Sequence, residues 1–213
     1  MSIEPNDCDA LWWLLITYIV SGKTYAAADV ADRLMEIDPR SSWFLNGRGW
    51  MHFLEGRFDL SVELHRQNLE LIDNAVTRFL LAYALAGARQ FDDALANLEL
   101  IQPAAGPDYF VRLAHFLKFV LQGKKEQVPE LLSPEFLATT RRDTHNSWKV
   151  ADYYAILDDR DQALAWLENA VNRGFINYPY LNEYNPFLTK LRGDPRFQKL
   201  LARVKSEWER FEL

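Results

Sequence analysis

A single cysteine, Cys8, stands in the 213 residues of this chain, so no internal disulfide can form and a reducing compartment suits it. An excess of positive charge is missing as well. The 24 Lys and Arg against 30 Asp and Glu give a net charge of −6 and a pI near 5.3. A general nucleic-acid binder or a protein of anionic membrane surfaces carries the opposite sign. No apolar run is long enough to span a bilayer. The most apolar stretch, Ala10 to Val20, falls short, and no Lys or Arg precedes it as a signal peptide requires. It is expected to be a buried helix, and the lack of an export signal favours the cytoplasm.

Reaction chemistry is also thin. No GxSxG elbow, phosphate-binding glycine loop or HExxH helix occurs. The four histidines, His52, His65, His115 and His145, form no His-x-x-x-His pair and have no cysteine partner. The acidic turn Asp158 to Asp161 lacks the alternating ligands and the glycine of a calcium loop. The chain is therefore expected to be no enzyme and to hold neither metal nor cofactor.

What the sequence does contain is a repeat. From Trp43 to Asp73 it reads as two helices joined by a tight turn: Leu45, Gly49, Trp50 and Phe53 at helical spacing, an interruption at Glu55-Gly56-Arg57, then Phe58, Val62, Leu69 and Ile72. Turn residues recur at Gly22, Gly56, Arg89 and Gly123, at intervals of 34, 33 and 34. Small residues recur where two helices would cross, with Ala27 in the first copy, Gly49 with Ser61, and Ala82 with Ala94. One hairpin cannot bury both of its apolar faces, so copies must stack. The spacing predicts hairpins over about 8–40, 41–73, 75–103, 108–132 and 144–173. An inserted helix is expected over 134–141, placing the fifth copy out of register, and a C-terminal cap over 185–211. Pro129 should leave the second helix of the fourth hairpin short or displaced. Phe175 to Tyr184, rich in Tyr, Asn and Pro, is expected to wander. In the final helix Phe197, Leu200, Leu201, Val204, Trp208 and Phe211 form one apolar stripe, suited to covering the open end of the stack.

A period of 34 with small crossing residues is similar to the tetratricopeptide repeat, and the fold implied is an all-α, right-handed α-solenoid of about five such hairpins. The segment Tyr153 to Val204, with ALAWLENAV and NPFLTKLRGDPRFQKLLARV, resembles the last tetratricopeptide repeats appended to bacterial signalling proteins such as adenylate cyclases, serine/threonine kinases and winged-helix regulators. In those proteins the region is an accessory module without catalysis, so the chain is either an adaptor acting alone or a module of a larger signalling protein. The first three repeats are also loosely similar to the tetratricopeptide chaperones of type III secretion, which shield a client segment.

The resemblance implies an inner groove lined by the first helix of each hairpin. Its positions are Trp12 and Ile16, Asn46 and Trp50, Phe79 and Tyr83, Leu113 and Leu117, and Trp148 and Asp152. Tetratricopeptide domains that grip the acidic tails of heat-shock chaperones use Lys, Asn and Arg there, and only Asn46 fits. The expectation is an apolar groove that takes an apolar or amphipathic segment of a protein or peptide partner, helical or extended. Two alternatives are that these aromatics belong to the core, or that the chain's own tail or the 134–141 helix fills the groove. Leu11, Trp12 and Trp13 make a homodimer through the N-terminal end a further expectation.

Overall fold

The computed structural model describes residues 6–102 and 108–212. Most of the loose lead-in that the sequence predicts over Ser2 to Asp7, and most of the loop that its prolines and glycine predict over Gln102 to Pro107, lie outside the described residues. Among the described residues there is no strand. Eleven α-helices follow one another: α1 Cys8–Ser21, α2 Thr24–Ile37, α3 Ser42–Leu54, α4 Phe58–Leu71, α5 Ala75–Gly87, α6 Phe91–Glu99, α7 Tyr109–Leu121, α8 Pro134–Arg142, α9 Thr144–Ile156, α10 Arg160–Asn172 and α11 Pro195–Arg210. Helical hairpins are stacked into a solenoid, α1 against α3, α5 against α7 and α7 against α9, with α11 packed on α10. No helix is long and apolar enough to cross a membrane among the described residues.

The period in the sequence has a conformational cause. Each hairpin turns through one residue with positive φ: Gly22, Gly56, Arg89, Gly123 and Asp158, at 69°, 74°, 61°, 70° and 59°. Glycine takes this left-handed conformation without a Cβ penalty, and Arg89 and Asp158 accept it where the chain must reverse. Between the turns, small residues let helices approach, both within a hairpin, as Gly49 of α3 does with α4, and between hairpins, as Gly87 of α5 does with α3. A Cβ on Gly49 would lie 2.9 Å from the His65 ring, and one on Gly87 2.5 Å from Phe53.

The fifth turn residue follows the fourth by 35 positions, so the repeat runs on almost unbroken and 134–141 is no insertion. In the fourth hairpin two prolines break the second helix. Its first part is a 3-10 helix, Lys125–Leu131, that carries Pro129 and packs on α7, and its remainder is α8, started by Pro134 behind a Ser133 cap and packed on α9. Proline lacks the N–H and clashes with the preceding turn, so an uninterrupted helix is excluded there.

The tail is the larger departure. Phe175 to Tyr184 does not wander. It enters the stack, burying Phe175, Asn177, Tyr180 and Leu181, and forms a five-residue π-helical turn at Tyr180–Tyr184. A 3-10 turn, Leu188–Leu191, then packs on α9. The chain returns to its first hairpin. Ile176 N–H donates to the Val20 carbonyl at 3.1 Å and the Asn177 amide to the Ile19 carbonyl at 2.9 Å. From α11, Trp208 donates to the Gly22 carbonyl at 3.4 Å, while Lys23 Nζ reaches the Trp208 carbonyl at 3.0 Å. The stripe on α11 buries Phe197, Leu201 and Val204.

Candidate functional site: a half-filled hollow

The first helices α1, α3, α5, α7 and α9 surround the hollow of the solenoid, and its two halves differ. The tail fills one of them. Phe175 stacks on Trp148 with centroids 4.4 Å apart, Tyr180 lies 6.1 Å from Phe53, and Phe187 lies 5.7 Å from Tyr83. Toward the N-terminal ends of the first helices a cavity of about 650 Å³ stays open. Its rim carries Trp13 and Trp43, each 67% exposed, and Trp12 meets Trp43 edge to face at 5.6 Å.

The ten positions expected to line the groove divide accordingly. Trp12, Ile16, Asn46 and Trp50 face the cavity, Trp50 as its floor. The other six, Phe79, Tyr83, Leu113, Leu117, Trp148 and Asp152, are buried beneath it and do not line it. A ligand entering the open half does not touch them. Trp50 joins the two layers, with its ring 5.5 Å from Tyr83, 5.7 Å from His65 and 5.9 Å from Trp148.

Under that floor lies a polar knot. Asp152 accepts a short hydrogen bond from Tyr83 Oη and one of 2.8 Å from the Asn185 amide, and Trp148 Nε1 donates to Tyr83 Oη at 3.2 Å. Asn185 in turn accepts from the Phe187 and Leu188 N–H groups at 2.9 and 3.2 Å, which fixes the tail. Burial away from water pushes the Asp152 carboxyl up to about 7, against the pull of its hydrogen bonds from Tyr83 and Asn185 and of Lys149. The knot ties α5, α9 and the tail together but has no opening to the cavity.

Lys149, one turn before Asp152, does line the cavity and is only 3% exposed. Its ammonium sits 4.3 Å from the Trp50 ring centre and 4.6 Å from that of Trp148. Its hydrogen bond is to the His145 carbonyl, at 3.3 Å. Desolvation lowers it to about 8, against the opposing fields of Asp143 and Asp152. Asn46 and Asn68 also line the cavity, and in both the side-chain oxygen is buried without a partner among the described residues. The sequence reading missed Lys149, Asn68 and Trp43, and it placed Trp13 in an N-terminal homodimer contact and not at this cavity. The available signal was a lysine inside a helical stretch otherwise reading as core, Ser147 to Ala155.

The acidic turn is spent on structure. Asp158 pairs with Lys190 and Arg160, Asp159 caps α10, and Asp161 meets Arg196 at 2.6 Å. Arg196 also grips Asp194, the cap of α11, at 2.8 Å. Among the described residues no three of His, Cys, Asp or Glu stand together as a metal site would need.

No model of a known protein family matches the sequence, and no curated protein matches it. The fold is similar to a solved structure of PilF from Pseudomonas aeruginosa, reported as its functional characterization. The two are 20% identical over 94% of this chain and 100% of the other, with a TM-score of 0.53, a likeness of fold.

Proposed function

We propose that this chain is a non-catalytic interaction module that receives an apolar or amphipathic segment of a partner protein in the open, N-terminal half of its hollow. The observation that carries the reading is the 650 Å³ cavity walled by Trp12, Ile16, Trp43 and Trp50, with two tryptophans left exposed at its rim. Indole rings bury large areas at little entropic cost and supply most of the anchoring energy at interfaces. The net charge of −6 supports a protein partner over a nucleic acid. The tail already occupies the other half, so the docking residues are Trp12, Trp13, Ile16, Trp43, Asn46 and Trp50 rather than the full set the sequence suggested.

The test is a panel of blocked apolar nonapeptides, with binding read by fluorescence anisotropy. Trp13→Ala with Trp43→Ala should weaken binding at least tenfold and leave the thermal midpoint within a few degrees of wild type. Undiminished binding would refute the docking site. A concentration-dependent dimer abolished by the same double variant would show instead that a second copy covers the rim.

A further inference from the structure

Three polar groups in this cavity are left without the partners their chemistry calls for. Lys149 has three N–H donors and a full charge, yet among the described residues it hydrogen-bonds only to the His145 carbonyl and has no carboxylate oxygen within 4.0 Å. The titratable and charged groups around it are His145 and Asp143 at the start of α9, Asp152 one turn on, and His65 from α4. Asp143 is engaged as the cap of α9, accepting from Asn146 N–H at 2.7 Å, and Asp152 is held in the knot by Tyr83 and Asn185. Burying an unpaired charge or an unpartnered amide is costly, so an anion and hydrogen-bonding groups brought in by a ligand would be taken up here.

The two asparagines define the backbone that would bring them. Asn68 is 1% exposed, and neither it nor Asn46 has a side-chain hydrogen bond among the described residues. A side-chain amide offers an acceptor and two donors side by side, matching the N–H and C=O of an extended peptide unit. A helix spends those same groups on itself and cannot offer them along its length.

Resting on the docking site proposed above, we infer that its occupant is an extended segment, not a helix, carrying an acidic side chain among apolar ones. Its main chain pairs with Asn46 and Asn68, its apolar side chains lie against Trp12, Trp43 and Trp50, and its carboxylate seats on Lys149. A carboxylate there completes an ion pair that the ring faces of Trp50 and Trp148 already favour by holding the cation in place.

The experiment uses N-acetylated, C-amidated nonapeptides of apolar residues with a central Glu, Gln or Leu. The same Glu sequence is also made with a helix-locking hydrocarbon staple, and the Gln sequence with a free C-terminal carboxylate. Dissociation constants are measured on wild type, Lys149→Gln, Lys149→Arg and Asn68→Ala. The linear Glu peptide should bind wild type at least tenfold more tightly than its Gln twin, lose that advantage on Lys149→Gln and keep most of it on Lys149→Arg. Asn68→Ala should weaken linear peptides several-fold. The stapled peptide should bind worse than the linear one. Equal binding of Glu, Gln and Leu peptides to wild type overturns the inference and leaves the apolar docking site standing. Gain only from the free C-terminal carboxylate overturns the side-chain assignment, and tighter binding by the stapled helix overturns the extended one. Binding by no peptide at all overturns both readings. Should Lys149→Gln not fold, the Glu and Gln contrast on wild type decides the matter.

Discussion

Asp152 sets a pH dependence that can be worked from its surroundings. An aspartate free in the unfolded chain titrates near 3.8, and burial raises it to about 7 in the fold, with Tyr83, Asn185 and Lys149 opposing the rise. The folded state thus holds a proton between these values that the unfolded state has released. A group raised in this way contributes stability that is complete below about pH 4 and lost as the pH rises through 7. Each tenfold change in proton affinity is worth about 1.4 kcal/mol, which makes the whole loss at most about 4 kcal/mol.

Asp152→Asn removes the titration while keeping the shape and one acceptor for the Asn185 amide. Urea unfolding at about pH 4.5 and pH 7.5 should show the variant gaining on wild type by about 2–4 kcal/mol across that interval. His65 and His145, lowered by burial to about 3 and 4, also change their charge on unfolding at acid pH. Their contribution has the opposite sign, present above about pH 6.5 and lost as the pH falls through the folded values, and it cancels in the comparison of variant with wild type. Lys149, lowered to about 8, acts between there and 10.5 and lies outside the interval. A difference between the two proteins that stays flat within about 0.5 kcal/mol would refute the burial argument, because a carboxyl in contact with water has no such slope.

Two further outcomes test the packing. Gly87→Ala replaces a helical glycine, a change that in an exposed helix stabilises by about 1 kcal/mol. Here the new methyl meets Phe53 and Phe58, both ring-packed, so a loss of about 1–3 kcal/mol is expected in thermal melts, and a gain would contradict the close approach. Phe175→Ala empties the stack on Trp148 and should cost about 3–5 kcal/mol in urea unfolding, with faster hydrogen exchange at Ile176 and Tyr180; a loss below about 1 kcal/mol would mean that the tail is not part of the core.

The stacking of hairpins was legible because it rests on local signals repeated in step. Left-handed turn residues at Gly22, Gly56 and Gly123 and small crossing residues such as Ala82 and Ala94 each report a constraint within one hairpin. Arg89 shows that the register can be read even where glycine is replaced, since its neighbours keep the interval. The fourth hairpin misled for a local reason too. Pro129 and Pro134 announce two breaks, and nothing nearby says whether the pieces between them form one helix in two parts or an added one.

The division of the hollow depends instead on contacts far apart in sequence. Asn185 meets Asp152 across 33 residues, and Asn177 meets Ile19 across 158. Composition alone suggested that a run of Tyr, Asn and Pro would wander, with a tail folded into the groove as an alternative. The tail enters with asparagines that satisfy buried groups no apolar tail could: Asn177, inside that run, a carbonyl near the end of α1, and Asn185, just after it, the Asp152 carboxylate. Asp152, expected in the groove, is therefore best understood as the reason the groove is short. Its hydrogen bond to Asn185 ties down the tail that lies over Tyr83 and Trp148, and the half of the hollow left open is the half that the tail does not reach. Loosening that knot should lengthen the open groove, so Asn185→Ala should make Tyr83 and Trp148 accessible to aqueous quenchers of fluorescence. Unchanged quenching in that variant would mean that ring packing by Phe175 and Phe187, and not the polar knot, holds the tail in place.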